Sequence, residues 1–182
     1  MVDGARECQS LRDVRGLVLG AVADGHAGIP DLLALLDAGA VARTAWARRA
    51  VRDAQRGAAS PPEAELVDGL IGCGHPFYVN PEVRLHGRFA GYLDVYLVGT
   101  GVGAEMDSKE RHGEQEQLDD TLGRHESATN AGLSLVHVIP TRYRADPAAF
   151  HARLFAAVSD RRLRGLGEPA GLEVVPRGPL LR

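Results

Sequence analysis

GYLDVYLVGTGVGAEMD, residues 91–107, decides how this chain is read. Residues 91–98 suit a strand, Gly99, Gly101 and Gly103 surround a turn, and residues 102–107 suit a second strand. A hairpin centred between Gly99 and Thr100 sets Asp94 directly opposite Glu105. Directly opposed residues share one face of a sheet, with Cβ atoms about 5 Å apart. Asp107 lies two positions beyond Glu105 and points the same way, and Lys109 does too if the strand continues. Asp is depleted in strands and adjacent carboxylates repel, so the group needs a compensating charge. A hard divalent cation with oxygen ligands, Mg²⁺ or Mn²⁺, is the simplest one. It would serve phosphodiester chemistry, with Lys109 or His112 assisting the attacking water or the developing charge. The other reading of the same spacing is a frayed hairpin carrying surface acids.

Upstream of this stretch, residues 77–85 read as a strand interrupted at Pro81, and His86-Gly87 marks a turn. Downstream, the pattern predicts a helix over 114–130, a buried strand over 133–139 ended by Pro140, and a helix over 147–160. The Gly- and Pro-rich tail from Arg161 reads as irregular. Towards the N-terminus, apolar periodicity gives helices over 10–24, 28–38 and 43–57, the last amphipathic and basic. Ser60-Pro61-Pro62-Glu63 opens a fourth, with Ser60 as N-cap and Glu63 completing a capping box. The expected organisation is a helical region over 1–57, an α/β domain over 58–160 in the order α-β-β-β-α-β-α, and an irregular tail over 161–182.

The bulk properties narrow the setting. A chain of 182 residues accommodates one domain with an extension. Its two cysteines, Cys8 and Cys73, lack metal-ligand spacing, so a reducing cytoplasm is expected. No apolar run is long enough for a membrane span, and no secretory leader is expected from residues 1–10. The net charge of −3 is unevenly spread. Arg43 to Arg56 and Arg142 to Arg164 are basic, and the segment between Glu105 and Glu126 is acidic. Arginines holding phosphates beside carboxylates holding metal would suit a nuclease; solvated helix faces are the alternative.

Several weaker signals have plain structural readings. Gly99-x-Gly101-x-x-Ala104 imitates a dinucleotide fingerprint, but no helix follows, so a hairpin turn is the better reading. Cys73-Gly74-His75 is half a zinc site with no second half. Asp120 and Arg124 form an i,i+4 pair on a helix surface. His137, inside an apolar strand, reads as a core histidine.

Asp94, the run Glu105-Met106-Asp107-Ser108 and the following His112 resemble the PD-(D/E)XK nuclease superfamily. The resemblance is nearest to its branch around the very-short-patch-repair endonucleases and related actinobacterial domains of unknown function. It covers roughly residues 58–158. The helix carrying Glu63, the pair Asp120 and Arg124, and the segments Ala131-Gly132-Leu133 and Val136-His137-Val138 agree with it in order. Asp107 stands where the motif usually has Lys; reading Asp107-Ser108-Lys109 instead restores Asp-x-Lys. Arg111 stands where the branch often has an aromatic residue. The resemblance implies a Mg²⁺- or Mn²⁺-dependent endonuclease or nickase. Asp94, Glu105, Asp107 and Glu63 would be metal ligands, Lys109 and His112 catalytic partners, and Arg124 a DNA contact. Arg142 and Arg144, which flank the site in sequence, are expected to dock the phosphate backbone with it. Some relatives are C-terminal parts of antitoxin-like regulators, which leaves open a catalytically silent DNA-binding module of a defence or toxin–antitoxin setting.

Overall fold

The computed structural model describes residue 4 and residues 7–38, 44–107 and 132–182. The chain forms two compact units, residues 1–67 and 68–182. The helix expected to open the α/β domain straddles that boundary.

The first unit is helical: α1 (Leu11–Ala23), α2 (Ile29–Ala38), α3 (Ala45–Gln55) and the start of α4 (Pro61–Leu70). Ser10 caps α1 by accepting from the Asp13 N–H. The predicted capping box closes α4: the Glu63 carboxylate accepts from the Ala59 N–H at 2.9 Å and from the Ser60 hydroxyl at 2.7 Å. Val14, Val18, Leu32, Leu36, Ala50 and Val51 form the core. Burying such side chains contributes about 1.5–3 kcal/mol each for the larger ones. Among them lies one charged cluster: Asp53 faces Arg15 at 2.9 Å, Arg49 at 3.5 Å and Arg56 at 3.7 Å. Arg48 bonds Asp37 and the Leu36 carbonyl. The basic stretch that suggested phosphate contacts therefore turns Arg48, Arg49 and Arg56 towards acids of its own unit.

The second unit is mixed α/β, with helices α5 (Pro140–Ala145) and α6 (Pro147–Leu163) and two sheets. The first sheet has the order β1 (Phe77–Val79), β4 (Val95–Leu97), β5 (Val102–Met106), β6 (Ser134–Val138). Its β5–β6 pairing is parallel and the others are antiparallel. The second, antiparallel sheet has the order β3 (Arg88–Tyr92), β2 (Glu82–Leu85), β7 (Leu172–Val175). Val83, Leu93, Tyr96 and Leu133 form the core between the sheets, and α6 packs on β5 and β6.

Three expectations are corrected here. The stretch over 91–98 is not one strand: Gly91 and Tyr92 end β3 in the second sheet, Val95–Leu97 is β4 in the first, and Leu93 and Asp94 lie between them. The stretch over 77–85 is two strands in different sheets, because the chain turns a corner at Asn80-Pro81. Asn80 takes a left-handed conformation there, which Asn tolerates, and its N–H bonds the Asp94 carbonyl at 3.0 Å. The tail from Arg161 is ordered: β7 pairs with β2, and Leu181 exchanges backbone hydrogen bonds with Phe77. Glycine and proline shape its turns, but its apolar Leu172 and Val174 pack against the core between the sheets. Pro140 ends β6 as expected and also opens α5, where a missing N–H costs nothing. No helix among the described residues is long and apolar enough to cross a membrane.

Candidate functional site

The β4–β5 pairing runs Leu97↔Val102, Tyr96↔Gly103, Val95↔Ala104. The ladder has the centre expected from the turn at Gly99 and Thr100 but ends at Val95↔Ala104, and Asp94 lies one residue before β4. Gly99 and Gly101 both take positive φ, as a tight turn requires. On the other side of β5, the parallel register pairs Glu105 with His137 of β6. Glu105 and His137 thus pair across β5 and β6, Asp107 lies just beyond them beside His137, and Asp94 reaches the β5 backbone from the segment before β4.

What lifts these residues out of the core is the end of the apolar packing. Gly103 shares the face of Glu105 and is pressed beneath Leu93 and Leu135, where a Cβ would meet their side chains at 2.9 and 3.0 Å. Two residues on, Glu105 is only part-buried, and the Asp107 side chain is 38% exposed. The backbone still holds this end of the strand, since the Asp107 N–H donates to the Val138 carbonyl at 2.9 Å.

Asp94 and Asp107 each have a definite engagement. Asp94 Oδ2 accepts from the Met106 N–H at 2.6 Å, taking the place of a backbone acceptor in the ladder. Asp107 faces His137 Nδ1 at 3.3 Å. Arg153 of α6 donates to the His137 carbonyl at 3.2 Å, and Arg142 and Arg144 are exposed on α5, which follows the carboxyl end of β6. Glu63 belongs to the other unit and closes its own helix start. Lys109, His112 and Arg124 lie outside the described residues.

His137 is the member of this cluster that sequence reasoning missed. It is half-exposed beside Asp107 and not a core histidine. The signal was present: laying the two polar positions of AEMD on the one histidine of LVHVI pairs them once β5 and β6 are taken as parallel.

The donors suit a hard cation in kind, being mostly carboxylate oxygens. Among the described residues, however, no group of three His, Cys, Asp or Glu side chains stands close enough to hold a metal ion by itself. No protein-family model, curated protein or solved structure matches this chain.

Proposed function

We propose that the chain is a metal-dependent phosphodiesterase acting on DNA as an endonuclease or nickase, with a restriction-endonuclease-like second unit. The observation that supports this reading is the pairing of Glu105 with His137 at the end of β5, with Asp107 beside His137 and Asp94 bonded to the Met106 N–H. Part-exposed acids next to exposed arginines suit a phosphate chain crossing a cation. Asp94, Glu105 and Asp107 would hold Mg²⁺ or Mn²⁺, which supplies charge neutralisation and an activated water. Asp107 and His137, 3.3 Å apart, would orient one another, and the exposed Arg142, Arg144 and Arg153 would contact flanking phosphates.

The test is cleavage of supercoiled plasmid with Mg²⁺ or Mn²⁺. Wild type should nick or linearise it, and Glu105→Gln should reduce the rate at least about a hundredfold, the loss expected when a metal ligand that acts in the transition state is removed. Glu105→Gln is preferred to an Asp94 variant because Asp94 also holds the β5 backbone. No cleavage with either ion, or equal rates for both proteins, would overturn the nuclease reading. A second reading, a DNA-binding module without cleavage, is favoured by the lack of a three-ligand group among the described residues; DNA binding by a wild type that does not cut would support it.

A further inference from the structure

Among the described residues, two that are not glycine hold a left-handed backbone, Asn80 with φ 48° and His86 with φ 49°. His86 and Gly87 make the two-residue turn between β2 and β3, where positive φ is the rule. Asn80 stands in no hairpin. The β1–β4 ladder ends at Val79↔Val95. Just beyond it the chain crosses between the sheets twice, at Asn80-Pro81 and at Leu93-Asp94. The two crossings are bonded to each other. The Asn80 N–H donates to the Asp94 carbonyl at 3.0 Å, and the Leu93 N–H donates to the Pro81 carbonyl at 3.3 Å. The left-handed turn lets the chain leave the first sheet at Pro81 while the Asn80 N–H stays on Asp94.

Asp94 carries the link on to the acids. The Asp107 N–H donates to Val138 of β6. Successive amides of a strand point to opposite sides, so the Met106 N–H points away from β6, towards the side of β4. There β4 has already ended, and the Asp94 carboxylate stands in for it, accepting from Met106 at 2.6 Å. An N–H bonded to a carboxylate is among the stronger hydrogen bonds. Met106 is 7% exposed, so its N–H would be poorly placed to find water if Asp94 let go. The neighbours of Met106 are Glu105 and Asp107, whose side chains point to one face. The aim of both acids depends on a peptide held by Asp94, and Asp94 is held in turn by Asn80.

We infer that Asn80 is a positioning residue of the acid site: its left-handed turn seats Asp94, which fixes the end of β5 that presents Glu105 and Asp107. The inference deepens the proposed function and rests on it for the cation. It gives Asp94 a second duty beside the one proposed there, and it assigns a role to a residue at the sheet-crossing corner that acts only through the backbone.

The experiment compares wild type with Asn80→Ala, Asn80→Gly and His86→Ala. Two quantities are measured: hydrogen exchange of the Met106 amide by NMR without metal, read against the Ala104 amide of the same strand, and Mn²⁺ affinity by electron paramagnetic resonance. Alanine resists positive φ and glycine does not. Asn80→Ala should speed Met106 exchange at least about fivefold. It should weaken Mn²⁺ binding at least about threefold, less than the roughly tenfold loss expected when a group bonded to a ligand is removed. Asn80→Gly should match wild type in both. His86→Ala carries the same backbone strain at the far end of β2 and should leave both unchanged. Met106 exchange that stays the same in Asn80→Ala overturns the inference. So does equal loosening in His86→Ala, since strain anywhere in the second sheet would then reach β5. A loss in Asn80→Gly as large as in Asn80→Ala overturns it too, because Asn80 would then act through its side chain. Faster exchange with Mn²⁺ affinity unchanged shows that the acids do not need the held peptide, and it overturns the inference while leaving the proposed cation in place. A wild type that binds no Mn²⁺ overturns the cation and the positioning together.

Discussion

Asp53 and Asp107 are both aspartates near arginine- or histidine-bearing elements, and the molecule treats them oppositely. Asp53 is 1% exposed and meets three guanidiniums. The Asp107 side chain is 38% exposed and meets one imidazole. A buried carboxylate is tolerated only when its charge is matched, because transfer from water costs several kcal/mol. A half-exposed one keeps part of its hydration and can exchange partners. The first arrangement belongs to folding; the second is what a binding site requires.

Removing the charge from each should separate the two roles. Asp53→Asn leaves Arg15 buried without its counter-ion and should cost about 3–5 kcal/mol, measured by urea unfolding of the helical unit. Asp107→Asn should cost no more than about 1 kcal/mol. If the two variants lose similar stability, Asp107 is a structural residue and the contrast fails.

Arg161 sharpens the comparison, since it is a buried charge satisfied by dipoles. Its guanidinium donates to the carbonyls of Thr100 at 2.9 Å, Gly132 at 2.7 Å and Gly167 at 2.6 Å, and to the Ser134 hydroxyl at 3.3 Å. It ties the β4–β5 turn, the start of β6 and the tail together, and Gly101 must be glycine because a Cβ would stand 2.5 Å from the guanidinium. Arg161→Met should cost about 3 kcal/mol by stranding several buried carbonyls. Arg161→Lys should recover only part of that, because an ammonium lacks the planar fork. Full recovery with Lys would mean that charge alone holds these three segments.

The sequence made the hairpin legible because turn glycines and strand alternation are local: the centre between Gly99 and Thr100 fixes the pairing of Val95 with Ala104. The helices of the first unit were legible for the same reason. What was not legible depended on contacts far apart in the chain. The corner at Asn80 and Pro81 divides one apparent strand between two sheets. The parallel partner of β5 is some thirty residues away, as in Glu105 with His137, so the histidine looked like core. Arg161 looked like one of a basic run, and only the far-off carbonyls of Thr100 and Gly132, with the nearby one of Gly167, give it its role.

His151 is the intermediate case, a half-buried group that yields its charge. It lies 3.3 Å from the Tyr143 hydroxyl and packs among Phe150 and Phe155. Burial lowers its pKa from the usual 6.5. The sign follows from proton counting. In a window at and below pH 6.5, the unfolded state binds a proton on His151 that the folded state resists, so stability falls as the pH drops through that window. Above pH 7.5 neither state holds that proton and the effect vanishes. The loss of stability of the second unit between pH 7.5 and pH 5 should be smaller in His151→Gln than in wild type, and the His151 ring should titrate below 6.5 by NMR. This is the smallest of the three effects, since the ring remains partly hydrated. Gly69→Ala provides the structural control. A Cβ there would collide with the Tyr143 hydroxyl and stand 3.0 Å from the His151 ring, so it should destabilise by about 1–3 kcal/mol. If overpacking alone is at work, that loss is the same at both pH values. If Gly69→Ala instead pushes His151 into water, its pKa rises towards the ordinary value and the acid sensitivity shrinks, as it does in His151→Gln. An acid limb identical in wild type and His151→Gln would show that His151 keeps its charge when the unit folds.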